Sequence, residues 1–222
     1  DIVAAAQGDA RRQRMNFWGT LALMRCVASS PAAAVQALRT RAGIDTDADA
    51  EETLGERVFD GRADALSDDD VEPPVGTDDP ALVALIDQAE QLAGQSGDPK
   101  LKLLTEHLGE LIADGFSPVV FCRYIATAHY LGRHLQGKWK DVTVGVVTGE
   151  VASDERREKV DALGEADKRI LVATDCLSEG INLQEHFDAV VHYDLSWNPT
   201  RHEQREGRVD RFGQVRPVVR AT

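Results

Sequence analysis

Apolar and polar positions alternate differently in the two halves of the chain. Residues 9–28 carry Leu, Ala and Met at helical spacing. Ser30-Pro31 then opens a second helix running through Arg41, since proline suits the first helical turn. From Pro118 onward, short β-rich apolar runs alternate with amphipathic stretches. Residues 119–121, 142–147, 170–173 and 189–192 read as strands, and residues 126–135, 153–163 and 201–211 as helices. Strands separated by helices need crossover connections, which give a parallel sheet covered on both faces. Ligands of such sheets gather beyond the C-terminal ends of the strands. The positions to watch are therefore Cys122-Arg123, Thr148-Gly149, Thr174-Asp175 and the run from Asp194 to Asn198.

The stretch from Asp45 to Pro80 follows neither pattern. It is rich in Asp, Glu, Ala, Pro and Gly, including Asp68-Asp69-Asp70 and Pro73-Pro74, and few of its residues can bury area. The expectation is a disordered acidic linker, with docking of a basic protein partner as the alternative. The predicted organisation is a helical segment at 1–44, the linker at 45–80 and an α/β lobe at 81–222. That lobe is expected to be a three-layer sandwich around a mostly parallel sheet. The chain begins at Asp1 and stops just after a run resembling entry to another strand, so both ends read as cuts through a longer polypeptide.

Composition changes this picture only locally. The 222 residues carry a net charge of −13, yet residues 45–90 alone hold 16 acidic and 2 basic side chains. The total therefore describes one segment, and it does not exclude a nucleic-acid ligand for the remainder. Three widely spaced cysteines, Cys26, Cys122 and Cys176, suggest a reduced intracellular protein without a disulfide framework. No metal-ligand spacing, signal peptide or membrane span is apparent, which favours the cytoplasm.

Two apparent motifs fail on context. Gly132 to Lys138 spells GxxxxGK, but Trp139 follows where Ser or Thr must reach Mg²⁺, and the segment ends a helix instead of opening one. Asp154-Glu155 resembles a metal-binding acidic box without a preceding apolar strand; beside Ser153 it reads as a helix start.

The informative stretch is Ile170 to Gln214. Arg208 and Arg211 are three apart, so on a helix they form a fork suited to phosphate oxygens, with Gly207 allowing close approach. Glu203, Glu206 and Asp210 offer the competing possibility of internal ion pairs. Thr174-Asp175, Gly180-Ile181-Asn182 and Trp197-Asn198-Pro199 follow successive strands and are expected to meet this helix at one sheet edge.

These residues resemble the C-terminal RecA-like lobe of superfamily 2 helicases. The Swi/Snf-like branch with its bacterial HepA/RapA-type members is the nearest in pattern. Residues 116–131 are similar to motif IV, 147–160 to the Thr-Gly segment that follows, 173–184 to motif V and 204–214 to motif VI. The series Asp194, Trp197-Asn198-Pro199, Gln204, Arg208, Arg211, Gln214 is the most specific part; DEAD-box RNA helicases usually carry His where this chain has Gln204. Cys122-Arg123 stands where many relatives have Ser-Gln. The resemblance implies arginine fingers at Arg208 and Arg211, reaching ATP·Mg²⁺ held mainly by an N-terminal RecA-like lobe of the same polypeptide. It implies nucleotide-side roles for Gly180, Asn182, Gln204 and Gly207. It implies backbone contacts to nucleic acid, expected to be double-stranded DNA, from Arg123, Thr148, Gly149 and Thr174. Trp197 reads as a packing anchor. On this reading the chain alone hydrolyses no ATP. The contrasting reading is a non-catalytic interaction module, which requires Arg208 and Arg211 to be buried in internal ion pairs.

Overall fold

The computed structural model describes residues 10–43, 80–178, 181–196 and 198–222. The predicted linker, apart from Pro80, lies outside the described residues, as do Gly180 and Trp197. Seven helices and five strands are present among the described residues. They run α1 (Ala10–Ser29), α2 (Pro31–Arg41), α3 (Pro80–Gln91), α4 (Pro99–Ala113), β1 (Pro118–Phe121), α5 (Ile125–Leu135), β2 (Thr143–Val147), α6 (Ser153–Gly164), β3 (Arg169–Ala173), β4 (Ala189–His192), α7 (Pro199–Val209) and β5 (Arg220–Ala221). A short 3-10 turn, Asp175–Ser178, follows β3.

The strands form one sheet in the order β2-β3-β1-β4-β5, with every pairing parallel. Alternation along each strand divides the core. Val120, Ile170, Val172 and Val191 face a layer built with Leu101, Leu104, Leu108, Leu131 and Leu135 of α4 and α5. Val119, Phe121, Leu171 and Val190 face Val160, Leu163 and Val209 of α6 and α7. The result is the expected three-layer sandwich, with β5 as a two-residue edge strand. No helix among the described residues is long and apolar enough to cross a membrane.

Local chemistry explains the element boundaries. Asp98 caps α4 by accepting from the amides of Lys100 and Leu101, and Pro99 occupies the first helical position. Gly115 ends that helix at φ 83°, a conformation that costs other residues. Gly132 has a packing reason instead: a Cβ there would lie 2.3 Å from Val146 Cγ2, so the glycine lets α5 sit close on β2. The GxxxxGK spelling is thereby accounted for without a ligand. Asp154 and Glu155 occupy the first turn of α6, as anticipated.

α1 and α2 form an outlying layer. Cys26, Ala33 and Ala37 pack on Tyr124, while Leu38 meets Leu82 and Ile86 of α3. Ser30 caps α2 by accepting from the amide of Ala33. All three cysteines are buried and none is linked to another. Burial pushes the Cys26 thiol up to about 11 and raises Cys122 as well.

Candidate functional site

α7 starts two residues earlier than its apolar pattern suggests. Asn198 Oδ1 accepts the amide of Thr200, and Pro199 supplies the first helical position. Its one large apolar residue, Val209, is buried against the sheet, and four and eight residues earlier the same stripe carries Arg205 and Arg201. Arg205 is thus drawn beneath the helix, where its side chain is only 4% exposed. Its Nε and Nη2 donate to the two carboxylate oxygens of Asp175 at 2.7 and 3.0 Å, and Nη1 donates to the Asp194 carbonyl at 2.9 Å. The guanidinium also lies 5.6 Å from the Phe121 ring centroid. Arg201 approaches the same carboxylate at 3.8 Å. Desolvating an ion pair is costly, and this one persists because the fork is matched bidentately and its third donor is also used.

The arginine fork differs from expectation. Asp210, at ψ 85°, leaves the helix, and the Val209 carbonyl accepts from the Gln214 side chain at 2.9 Å. Gln214 donates also to the Phe187 carbonyl at 2.9 Å, and Gly213 turns the chain at φ 99°. Arg211 therefore lies in a turn beyond α7 and does not share a helical face with Arg208. Nor do all the groups meet at one sheet edge. Asp175 and Asp194 hold Arg205 at the C-terminal ends of β3 and β4, while α7 runs back along the sheet. Gln214, just after Arg211, meets Phe187, which precedes β4. Gln204, Gly207 and Arg208 remain at helical spacing on the flank of α7. Gln204 and Gly207 are exposed, Arg208 is half-buried, and Arg211 is exposed with no side-chain hydrogen bond or ion pair among the described residues. A Cβ on Gly207 would meet nothing within 4 Å.

The predicted backbone-contacting residues lie in the loops after the strands, with their side chains turned to internal partners. Thr148 is buried and its hydroxyl donates to Glu150 Oε2 at 3.1 Å; that oxygen also accepts His129 Nε2 at 2.8 Å. Thr174 is buried and donates to Cys176 Sγ at 3.4 Å. The Gly149 carbonyl accepts Arg156 Nη2 at 3.1 Å, while Arg156 Nη1 reaches the Cys176 carbonyl at 3.1 Å and Nε the Val151 carbonyl at 2.6 Å. Arg156 thereby ties the loop after β2 to the turn after β3. The Arg123 amide donates to Asp194 Oδ2 at 2.9 Å, and its guanidinium lies 5.9 Å from the Tyr124 ring centroid. Asn182 is exposed, with its amide 3.5 Å from Glu185 Oε1.

Arg205, Asp175 as its partner, Arg156 and Asp194 as a junction were not assigned from the sequence. The spacing of Arg201, Arg205 and Val209 did carry a signal for the first of these, because Val209 identifies the inward side of an otherwise polar helix. His192 of β4 bonds Glu206 Oε1 at 3.0 Å and sits edge-on to His202 at 4.7 Å. Burial lowers its pKa, partly opposed by the Glu206 contact. No cluster of three or more His, Cys, Asp or Glu side chains suited to a metal occurs among the described residues.

An all-parallel sheet flanked by helices on both faces, with polar junctions at the strand ends, is the architecture of a three-layer α/β lobe of the RecA-like kind. The chain belongs to the helicase conserved C-terminal domain family, which matches residues 99–213, just over half its length. It is 31% identical over 144 residues to the uncharacterized ATP-dependent helicase YqhH of Bacillus subtilis (strain 168), covering 64% of this chain and 24% of that protein. Identity is 30% over 142 residues with the putative ATP-dependent helicase/translocase YwqA of the same organism, covering 64% of this chain and 15% of YwqA. The chain thus spans a quarter or less of these two relatives. The C-terminal part of the Fun30 ATPase domain has the same fold, with a TM-score of 0.50 and 22% identity over 55% of this chain and 39% of that one.

Proposed function

We propose that this chain is the second motor lobe of an ATP-dependent DNA helicase or translocase of Swi/Snf-like type. The first lobe of the same polypeptide would hold ATP·Mg²⁺. The observation that supports the reading best is the flank of α7: Gln204, Gly207 and Arg208, extended by the exposed Arg211. This face is open at Gly207, while Arg205 anchors the helix beneath it. The interaction-module alternative needs both arginines buried in internal ion pairs, and the exposure of Arg211 disfavours it.

In this reading the residues present fit a phosphate-bearing substrate presented from outside the chain. Bound Mg²⁺ supplies charge neutralisation at the phosphates. Arg208 and Arg211 stabilise the charge that develops on the transferred phosphoryl group, a contribution of roughly 10³–10⁵ in rate for such fingers. Gln204 supports the nucleotide's surroundings, and Gly207 lets the partner lobe approach the helix backbone. Asn182 takes the ribose side, and the same role is assigned by motif to Gly180, which lies outside the described residues. Arg123, Thr148, Gly149 and Thr174 belong to the loops that meet the nucleic-acid backbone. With their hydroxyls engaged internally, the two threonines act by fixing loop shape. Such contacts carry no base information, so binding is sequence-independent and weakens with salt.

The test compares ATP hydrolysis by the 222-residue chain with hydrolysis by the polypeptide that joins it to a nucleotide-binding lobe. The chain alone is expected to turn over no ATP, and the two-lobe protein to show DNA-stimulated turnover. Turnover by the chain alone, or a two-lobe protein indifferent to DNA, refutes the proposal.

A further inference from the structure

The junction between α1 and α2 is joined to α7 by a continuous set of buried polar groups. Ser29 Oγ donates to Asp194 Oδ2 at 2.8 Å. Because that oxygen only accepts, the hydroxyl proton of Ser29 is committed, and Ser29 Oγ must accept from Thr127 Oγ1 at 2.8 Å. Thr127 has then spent its own proton, so Ser30 Oγ donates to Thr127 across another 2.8 Å. Ser30 accepts in turn from the Ala33 amide that it caps. The carboxylate thus fixes the direction of every hydrogen bond in the series, from the first turn of α2 to Asp194. Lys100 strengthens the junction. Its Nζ donates to Asp194 Oδ1 at 2.8 Å and to the carbonyls of Ala28 and Ser29 at 3.2 Å, where the end of α1 attracts a cation.

The Asp194 carboxylate therefore receives donors from three places: the end of α1, Lys100 of α4 and the Arg123 amide after β1. Its own main-chain carbonyl accepts Arg205 Nη1, and Arg205 is clamped on its other side by Asp175. Whatever shifts the Asp194 backbone shifts one of the two supports of Arg205, and with it the helix carrying Arg208.

We propose that Asp194 is a positioning residue that transmits the seating of α1 and α2 to Arg205, so that the N-terminal helix pair controls the presentation of the arginine-bearing end of α7. The catalytic consequence rests on the motor-lobe reading; the structural coupling does not. The pair becomes an input: a ligand or neighbouring segment that displaces α1 alters the finger helix without touching it.

Hydrogen exchange on the 222-residue chain tests the coupling directly. Ser29→Ala removes one hydrogen bond to a charged acceptor and is expected to speed exchange of the α7 amides severalfold. Asp194→Asn, which sets an amide NH₂ or a lone carbonyl oxygen against donors on all sides, is expected to do so more than tenfold. α6 packs on the same sheet face but lies off the series, and its exchange is expected to stay unchanged. Val144→Ala, a change in β2 packed in the other core layer and outside the helix pair, serves as the destabilised control and is expected to leave the exchange of α7 relative to α6 as it was. If Ser29→Ala fails to fold, Lys100→Gln cuts the same junction from its partly exposed side. Equal acceleration of α6 and α7, or no change in α7, overturns the proposal. In the two-lobe protein the same variants are expected to lower kcat severalfold with KM for ATP unchanged. If Arg208→Ala leaves turnover intact, the motor-lobe reading fails while the exchange result still decides the coupling.

Discussion

Replacing Gly207 with alanine separates what α7 needs for itself from what it offers a partner. Glycine in a helix interior costs about 0.5–1 kcal/mol relative to alanine, through the freedom it loses on folding. In this chain the residue is exposed, its φ lies outside the positive range, and an added Cβ meets nothing within 4 Å. The substitution is therefore expected to stabilise the chain by roughly 0.5–1 kcal/mol, read as a rise of about 1–4 °C in Tm for a domain of this size. In the two-lobe protein the same methyl enters the space where a neighbouring lobe would approach. A misplacement of about 1 Å there lowers kcat by roughly tenfold to a hundredfold. Melting curves and steady-state ATPase assays on the one substitution give both halves. A lower Tm would mean that the chain itself fills the site. A higher Tm with unaltered turnover would mean that nothing approaches this face, and the reasoning would be refuted.

Other expectations follow from the same geometry. Arg205→Ala leaves Asp175 without its bidentate partner in a largely buried setting, and a loss of about 3–5 kcal/mol is expected in denaturant melts. Arg205→Lys, which cannot form the fork, recovers only part of that loss. Burial disfavours the charged form of His192, so the unfolded chain takes up a proton more readily than the folded one. This contribution to stability is complete above the ordinary histidine value of about 6.5 and is lost as pH falls through it toward the depressed folded value. Replacement by Gln is expected to flatten stability against pH below that point, and an unchanged slope would exclude His192 as its source. Cys26, its thiol raised to about 11, and the buried Cys122 are expected to resist a thiol reagent until the chain unfolds. Rapid labelling of both in the native state would contradict their placement.

The sheet was legible because its strands are short, β-branched and bounded by helical repeats; 189–192 matches β4 outright, and the other three differ by a residue. β5 has two residues and little apolar content, so its pairing depends on β4 being in place. The site was legible as a set of motifs and less so as geometry. Helical periodicity continues through Arg211, yet the helix stops at Val209, where Asp210 leaves helical geometry and Gln214, five residues on, takes the Val209 carbonyl. That contact is not written in local spacing. The role of Arg205 is hidden for the same kind of reason: it depends on Asp175, thirty residues earlier, and on the main chain of Asp194. The buried hydroxyls of Thr148 and Thr174 show how a motif position can act through loop shape while its side chain stays inside.

The most direct measurement is the steady-state ATPase of the two-lobe protein carrying Arg208→Ala or Arg211→Ala, with kcat and KM resolved at saturating DNA. A kcat lower by roughly 10³-fold or more, with KM for ATP little altered, is the predicted outcome for groups that act on the transition state. Near-normal kcat in both variants would contradict the account, because it assigns the charge stabilisation to these two guanidinium groups.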